Sequence, residues 1–262
     1  MKAETADTIR QRTEELGVAL GLLTRFPLPE FTMRTPATVG TAFWAYPLAG
    51  ALVGAPAAAL FWLCHAAGFS TAPSVLLAMA ATLLASGAFH EDGLTDFWDG
   101  LGGGDSREEK LDIMRDSRIG TYGALAIAFT LGLQFCFLVN VQNYAGHTSV
   151  MGAIIAAEAL SRGAIALPIA SLHPARNDGL GPSMAVLPMI TIVTGALIAA
   201  AIAVLLLGGG GLLMIVGAAL GTGLVTFIAW RFLGGFTGDV LGAAAVTARM
   251  AGLGAFALAV TP

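Results

Sequence analysis

What this chain of 262 residues lacks is charge. Only 11% of it is Asp, Glu, Lys or Arg, against about a quarter of an ordinary soluble domain. None of the four occurs between Arg34 and Glu91, between Arg118 and Glu158, or between Asp178 and Arg231. A soluble fold alternates polar and apolar faces through such lengths, whereas a membrane span needs about 20 apolar residues. The first and third gaps each hold two spans, and the second holds one and starts another, so a soluble protein is excluded. Cysteine is scarce as well. Cys64 and Cys136 both lie in apolar runs, with no spacing that suggests a disulfide or a metal pair. There is no basic patch with interleaved aromatics, which excludes nucleic acid as a partner. The polar, acidic start "MKAETADTIRQRTEEL" does not read as a cleaved signal peptide. Neither an internal repeat nor a soluble domain is visible, and residues 1–262 read as a single membrane-embedded domain.

What the chain has is an all-α pattern. Residues 6–23 place Ile9, Leu16, Leu20 and Leu23 near one face, as in a helix lying in the membrane interface, and Pro27 and Pro29 end it. Spans are predicted at 41–64, 70–89, 121–142, 149–172, 183–207, 212–233 and 239–260, a polytopic bundle of about seven helices, between six and eight. Of the 13 Lys and Arg, five precede the first span and four lie in 91–118, which makes both segments cytoplasmic. The connections at 173–181 and 231–239 fall on the same side, and those at 65–69, "NYAGH" and 208–211 on the other. The polar surface thus faces the cytoplasm, which favours an enzyme over a pore. A cation-coupled transporter would set its acids near mid-membrane in repeated halves, and a scaffold would need no such acids.

Those acids are concentrated in "FHEDGLTDFWDGLGGGDSREEKLDIMRDSRIG". As a helix continuing out of the second span, 88–100 puts Asp92, Asp96 and Asp99 on one stripe. Like charges at that spacing repel unless a cation lies between them, and carboxylate oxygens suit Mg²⁺ or Mn²⁺ rather than zinc. Glu91 points about 100° away and is a weaker ligand; His90 is a ligand-orienting residue or a packed polar one. Gly93 and Gly100 let a phosphate or a neighbouring helix come close, and Gly102 to Gly104 read as a flexible loop. Ser106 and Glu109 form a capping box. Beyond it Arg115 and Arg118 are candidate phosphate clamps with Asp116 orienting one, or ion pairs on a surface helix. Arg25 is a phosphate contact or a lipid-headgroup anchor. Together these features describe Mg²⁺-dependent phosphoryl transfer, with Asp96 or Asp99 taking a proton from the attacking hydroxyl and Arg115 and Arg118 stabilising charge.

With "FHEDGLTDFWDG", "IMRDSRIGTYG" and "LGGFTGDVLGA", and weaker echoes in "LLTRFPLP", "ALSRGA" and "ARNDGLG", the chain resembles the cobalamin synthase family of adenosylcobinamide-GDP ribazoletransferases over nearly its whole length. The resemblance implies attack by a ribose hydroxyl of α-ribazole, or of its 5′-phosphate, on adenosylcobinamide-GDP, with release of GMP and with Mg²⁺ as the metal. It places the family's carboxylate motif on Asp92, Gly93, Asp96, Asp99 and Gly100, its arginine motif on Arg115, Asp116, Ser117 and Arg118, and its C-terminal pair on Gly238 and Asp239. Asp239 would reach the same metal from the cytoplasmic end of the last span. The alternative is a membrane phosphotransferase of the CDP-alcohol type. A bacterial inner-membrane location follows, and a homo-oligomer stays open. The chain departs from the family where it carries Val246 and Arg249 in the last span. An intramembrane arginine needs a partner; Arg249 has no obvious one, and Glu158, an i, i+4 neighbour of Arg162, is the candidate.

Overall fold

In a computed structural model, residues 2–28, 38–176, 184 and 187–262 are described. They form helices throughout, with one isolated bridge between Pro174 and Phe236. The order is α1 (Lys2–Leu23), a short 3-10 turn (Thr41–Ala45), α2 (Tyr46–Ala66), α3 (Thr71–Ser86), α4 (Phe89–Gly103), α5 (Arg107–Ile113), α6 (Thr121–Ala164), α7 (Ala166–Ser171), α8 (Met189–Leu207), α9 (Gly209–Leu233) and α10 (Gly238–Val260).

Helix α1 is interfacial on one side only. Ile9 stays exposed, whereas Ala19 and Leu23 are buried and pack with Phe43, Tyr46 and Ala49. Its buried Glu15 accepts hydrogen bonds from Arg12 Nη1 at 2.7 Å and Trp44 Nε1 at 2.6 Å. The helix is therefore pinned to the bundle as well as suited to a lipid surface.

By length and apolarity five helices can cross a membrane, or six with α3 and α4 taken as one bent span. One of the five, Thr121–Ser171, is 51 residues long, and it doubles back. Gly146 breaks it at φ 79°, ψ 176°. Gln134 and Glu158 would lie about 36 Å apart on a straight helix, yet both accept hydrogen bonds from the Arg249 guanidinium, each at 2.9 Å. The arms on either side of Gly146 therefore run back along each other and each is long enough to cross, so that with α3 and α4 taken as one bent span the candidate crossings number seven. The predicted break at "NYAGH" coincides with Gly146. Small residues let the crossings approach closely: Gly50 and Gly54 of α2 lie against the backbone of Glu158 and Ile155, and Gly217 and Gly221 of α9 against Ala251 and Thr247.

The acidic helix is not the extension of the second span that the spacing suggests. Gly87 (φ 67°) and Ala88 (φ 54°) both adopt left-handed backbone, and α4 leaves α3 at 90°. It packs on α10 and on α6, across one end of the bundle. The predicted glycine loop is largely helical too, since Gly102 and Gly103 form the last turn of α4.

Three polar contacts gather the connections at that end. Arg25 lies over Gly87, and its N–H donates to Ala85 at 2.7 Å. Arg107 donates to the carbonyls of Leu233 at 2.7 Å and Ala175 at 2.9 Å. Residues 173–175 exchange hydrogen bonds with Phe236, at 2.8 and 2.9 Å.

Candidate functional site

The site is built where α4 crosses the start of α10. Gly93 makes the crossing close: a side chain there would meet the backbone of Asp239 and Gly242 at 3.1–3.2 Å. Gly100 similarly admits Lys110 and Met114. Of the two uses the sequence left open for these glycines, contact with a neighbouring helix is the one observed. The crossing brings Asp239 to the carboxylate stripe. Asp92 is exposed and Asp96 half-buried, and Asp96 feels the charges of Asp92, Asp239 and Asp99 together with the opposing charge of Arg176.

Asp99 has a further role. Its Oδ2 accepts from Gly120 N–H at 2.7 Å and its Oδ1 from Gly123 N–H at 2.8 Å, so it binds the positive end of α6. A side chain at Gly120 or Gly123 would collide with this carboxylate. Both glycines stand in "IGTYG", a motif noted for resemblance but given no task by sequence reasoning.

Asp239 Oδ2 accepts from Arg176 Nη2 at 2.8 Å and from Thr237 Oγ1 at 3.0 Å. Arg176 escaped the sequence reading; its signal was the polar run "ARNDGLG", which the predicted topology puts on the same side as the acids. Residues 177–181 of that run lie outside the described residues. Gly238 is half-buried beside Asp239 with open space at its Cα.

Glu91 is redirected. It is buried and ion-paired with Arg249, away from the stripe, because an intramembrane guanidinium left unpaired would cost several kcal/mol, about 3–5. Arg249 also bonds Glu158 at 2.9 Å and Gln134 at 2.9 Å, and Glu158 pairs with Arg162. The expected contact of Arg249 with Glu158 is present, but it is one of three. His90 is buried too, and among the described residues neither of its ring nitrogens has a hydrogen-bond partner.

The arginine motif lies beyond the capping box, which forms as the spacing requires: Glu109 N–H donates to Ser106 Oγ at 3.2 Å and Glu109 Oε2 accepts from Ser106 N–H at 3.2 Å. Asp116 grips Arg118, with Nη2–Oδ2 at 2.6 Å and Nε–Oδ1 at 3.0 Å. These bonds hold the Asp116 carboxyl down at about 2. Arg115 pairs with Asp112 at 3.3 Å. Arg115, Ser117 and Arg118 are exposed, and Arg25 lies across the α3–α4 break rather than among the acids.

Chemically, Asp92, Asp96 and Asp239 are hard oxygen donors, the donor type that Mg²⁺ and Mn²⁺ prefer over zinc. Among the described residues no three acidic, His or Cys side chains already stand at ion-holding distance of one another.

A family model described as cobalamin-5-phosphate synthase matches residues 15–257. A protein of Mesorhizobium japonicum named adenosylcobinamide-GDP ribazoletransferase is 39% identical over 234 residues, 89% of each chain. One of the same name from Rhizobium meliloti is 36% identical over 259 residues, 96% of this chain and 99% of its own. A third, from Leptothrix cholodnii, is 39% identical over 238 residues, 87% of this chain and 88% of its own. No solved structure matches significantly.

Proposed function

The chain belongs to the cobalamin-5-phosphate synthase family, and from that premise we propose that it transfers the phosphocobinamide group of adenosylcobinamide-GDP to α-ribazole or its 5′-phosphate. GMP is released and the nucleotide loop of adenosylcobalamin is completed. The carrying observation is the meeting of the α4 carboxylates with Asp239 beside Arg176, within the residues the family model covers.

Mg²⁺, when bound by Asp92, Asp96 and Asp239, would neutralise diphosphate oxygens and assist departure of GMP. The chain's own residues do the rest. Asp99, committed to the N-terminus of α6, holds α4 against that helix. In this reading Asp96, half-buried on α4, accepts the proton of the attacking ribose hydroxyl. Arg115 and Arg118 border the site on the exposed side and bind the nucleotide's phosphate. The work is done at the cytoplasmic face of a bacterial inner membrane, where the positive connections gather.

The test is an assay of the purified, detergent-solubilised protein with adenosylcobinamide-GDP, α-ribazole and Mg²⁺, following the cobalamin product and GMP. Stoichiometric formation of both, dependent on α-ribazole and abolished by EDTA, supports the reading. An inert protein that is folded and monodisperse contradicts it.

A further inference from the structure

Four carboxylates, Asp92, Asp96 and Asp99 of α4 and Asp239 of α10, lie where Gly93 brings the two helices together, and among the described residues Arg176 is the guanidinium paired with one of them. Counting formal charges, −4 and +1 leave −3. Arg107 holds backbone carbonyls, and the exposed Arg115 and Arg118 pair with Asp112 and Asp116, acids outside this group. Arg176 is different in its burial and in its hold. Its side chain is 15% exposed and Asp239's is 19% exposed. Nη2 makes the 2.8 Å bond to Asp239, and Nη1 a long one, 3.4 Å, to the Leu111 carbonyl. These are two single bonds to two partners, not the two-pronged grip that a guanidinium makes with one carboxylate.

We propose that Arg176 is the resident counter-ion of the acid group: it competes with the divalent cation for Asp239, and its released guanidinium then binds the diphosphate of the substrate. This rests on reading the acid group as a metal-assisted phosphoryl-transfer site. The physics favours exchange. Against the same carboxylates a divalent ion gains twice the Coulomb energy of a monovalent one at equal distance. A planar guanidinium in turn matches a pair of phosphate oxygens better than the single carboxylate oxygen it leaves.

Such an exchange makes two readouts move in opposite directions. Mn²⁺ alone is titrated into the full-length protein in detergent, with free Mn²⁺ followed by electron paramagnetic resonance. R176A and R176Q are expected to bind Mn²⁺ about threefold or more tighter than wild type, since a competing cation is gone. In turnover the same variants need about tenfold more adenosylcobinamide-GDP for half-saturation, having lost a charge-assisted contact. R176K keeps the charge without the fork, so its Mn²⁺ affinity stays near wild type while the substrate requirement rises. A residue that merely braces the fold would weaken both properties together. Unchanged or weaker Mn²⁺ binding in R176A and R176Q overturns the counter-ion role, and unchanged substrate saturation in all three variants overturns the diphosphate contact. Should R176A misfold, R176Q and R176K decide. A wild type inert toward adenosylcobinamide-GDP, with tighter Mn²⁺ binding in R176Q, would sink the functional reading and leave the counter-ion role standing.

Discussion

At the scale of single residues, the three stripe carboxylates divide their labour. Asp92 is exposed in the first turn of α4, whereas Asp99 is buried and holds two backbone N–H groups of α6. Asp92→Ala is therefore expected to abolish GMP release with an unchanged unfolding temperature in detergent. Asp99→Ala should lose activity and also destabilise the protein by about 1–3 kcal/mol, the cost of orphaned buried donors, seen as a lower unfolding temperature. Equal stability of the two variants would refute the division. The stripe itself was legible, because helical spacing alone aligns 92, 96 and 99. The partners of Asp99 were not, because spacing within one helix says nothing about which other helix start lies opposite. The pairing of Glu91 with Arg249 was not legible for the same reason: each is costly alone in the membrane, and only the packing of α4 on α10 brings them together. Arg249→Leu leaves Glu91 and Glu158 short of a partner and should cost about 3–5 kcal/mol, whereas removing the exposed Asp112–Arg115 pair should change stability by less than about 1 kcal/mol. Thermal unfolding of both variants checks the contrast.

At the scale of elements, the bend between α3 and α4 aims the carboxylates at α10. It depends on two consecutive left-handed residues, and Ala88 is the one non-glycine among the described residues with positive φ. Ala88→Gly is expected to raise stability by about 1 kcal/mol at unchanged activity, since glycine meets no Cβ penalty there. Gly87→Val should do the reverse, combining a strained φ with a collision against Arg25, and should lower activity through displacement of α4. Unfolding temperature and turnover of the pair, measured side by side, test this. The bend was invisible to hydropathy because "SGAFHEDG" continues the helical pattern across it. A single glycine in a membrane helix is as often a packing contact as a break. The hairpin at Gly146 was easier to read, because polar residues on both sides of it mark a chain leaving the bilayer.

At the scale of the whole molecule, the topology of seven candidate crossings predicts residue 106 and residue 148 on opposite faces of the membrane. In right-side-out cells, a cysteine introduced at Thr148 of a cysteine-free variant should react with an impermeant maleimide, and one at Ser106 should react only after permeabilisation. The reverse pattern would invert the topology and move the acids outside. Charge scarcity made the number of crossings readable from composition, because each long uncharged run has room for whole spans. What composition could not supply was which end of each helix meets which neighbour, and the site consists of those meetings: α4 with α10 through Gly93, α4 with α6 through Asp99, and the 172–176 segment with α10 through Arg176. The account stands on the first of them. Its most direct test is the rate of GMP release from adenosylcobinamide-GDP, with α-ribazole and saturating Mg²⁺, by Asp96→Asn and Asp239→Asn beside wild type. Both variants, folded and membrane-inserted, are predicted to fall by about a hundredfold or more; a wild-type rate from either would show that α4 and α10 do not form one reaction centre.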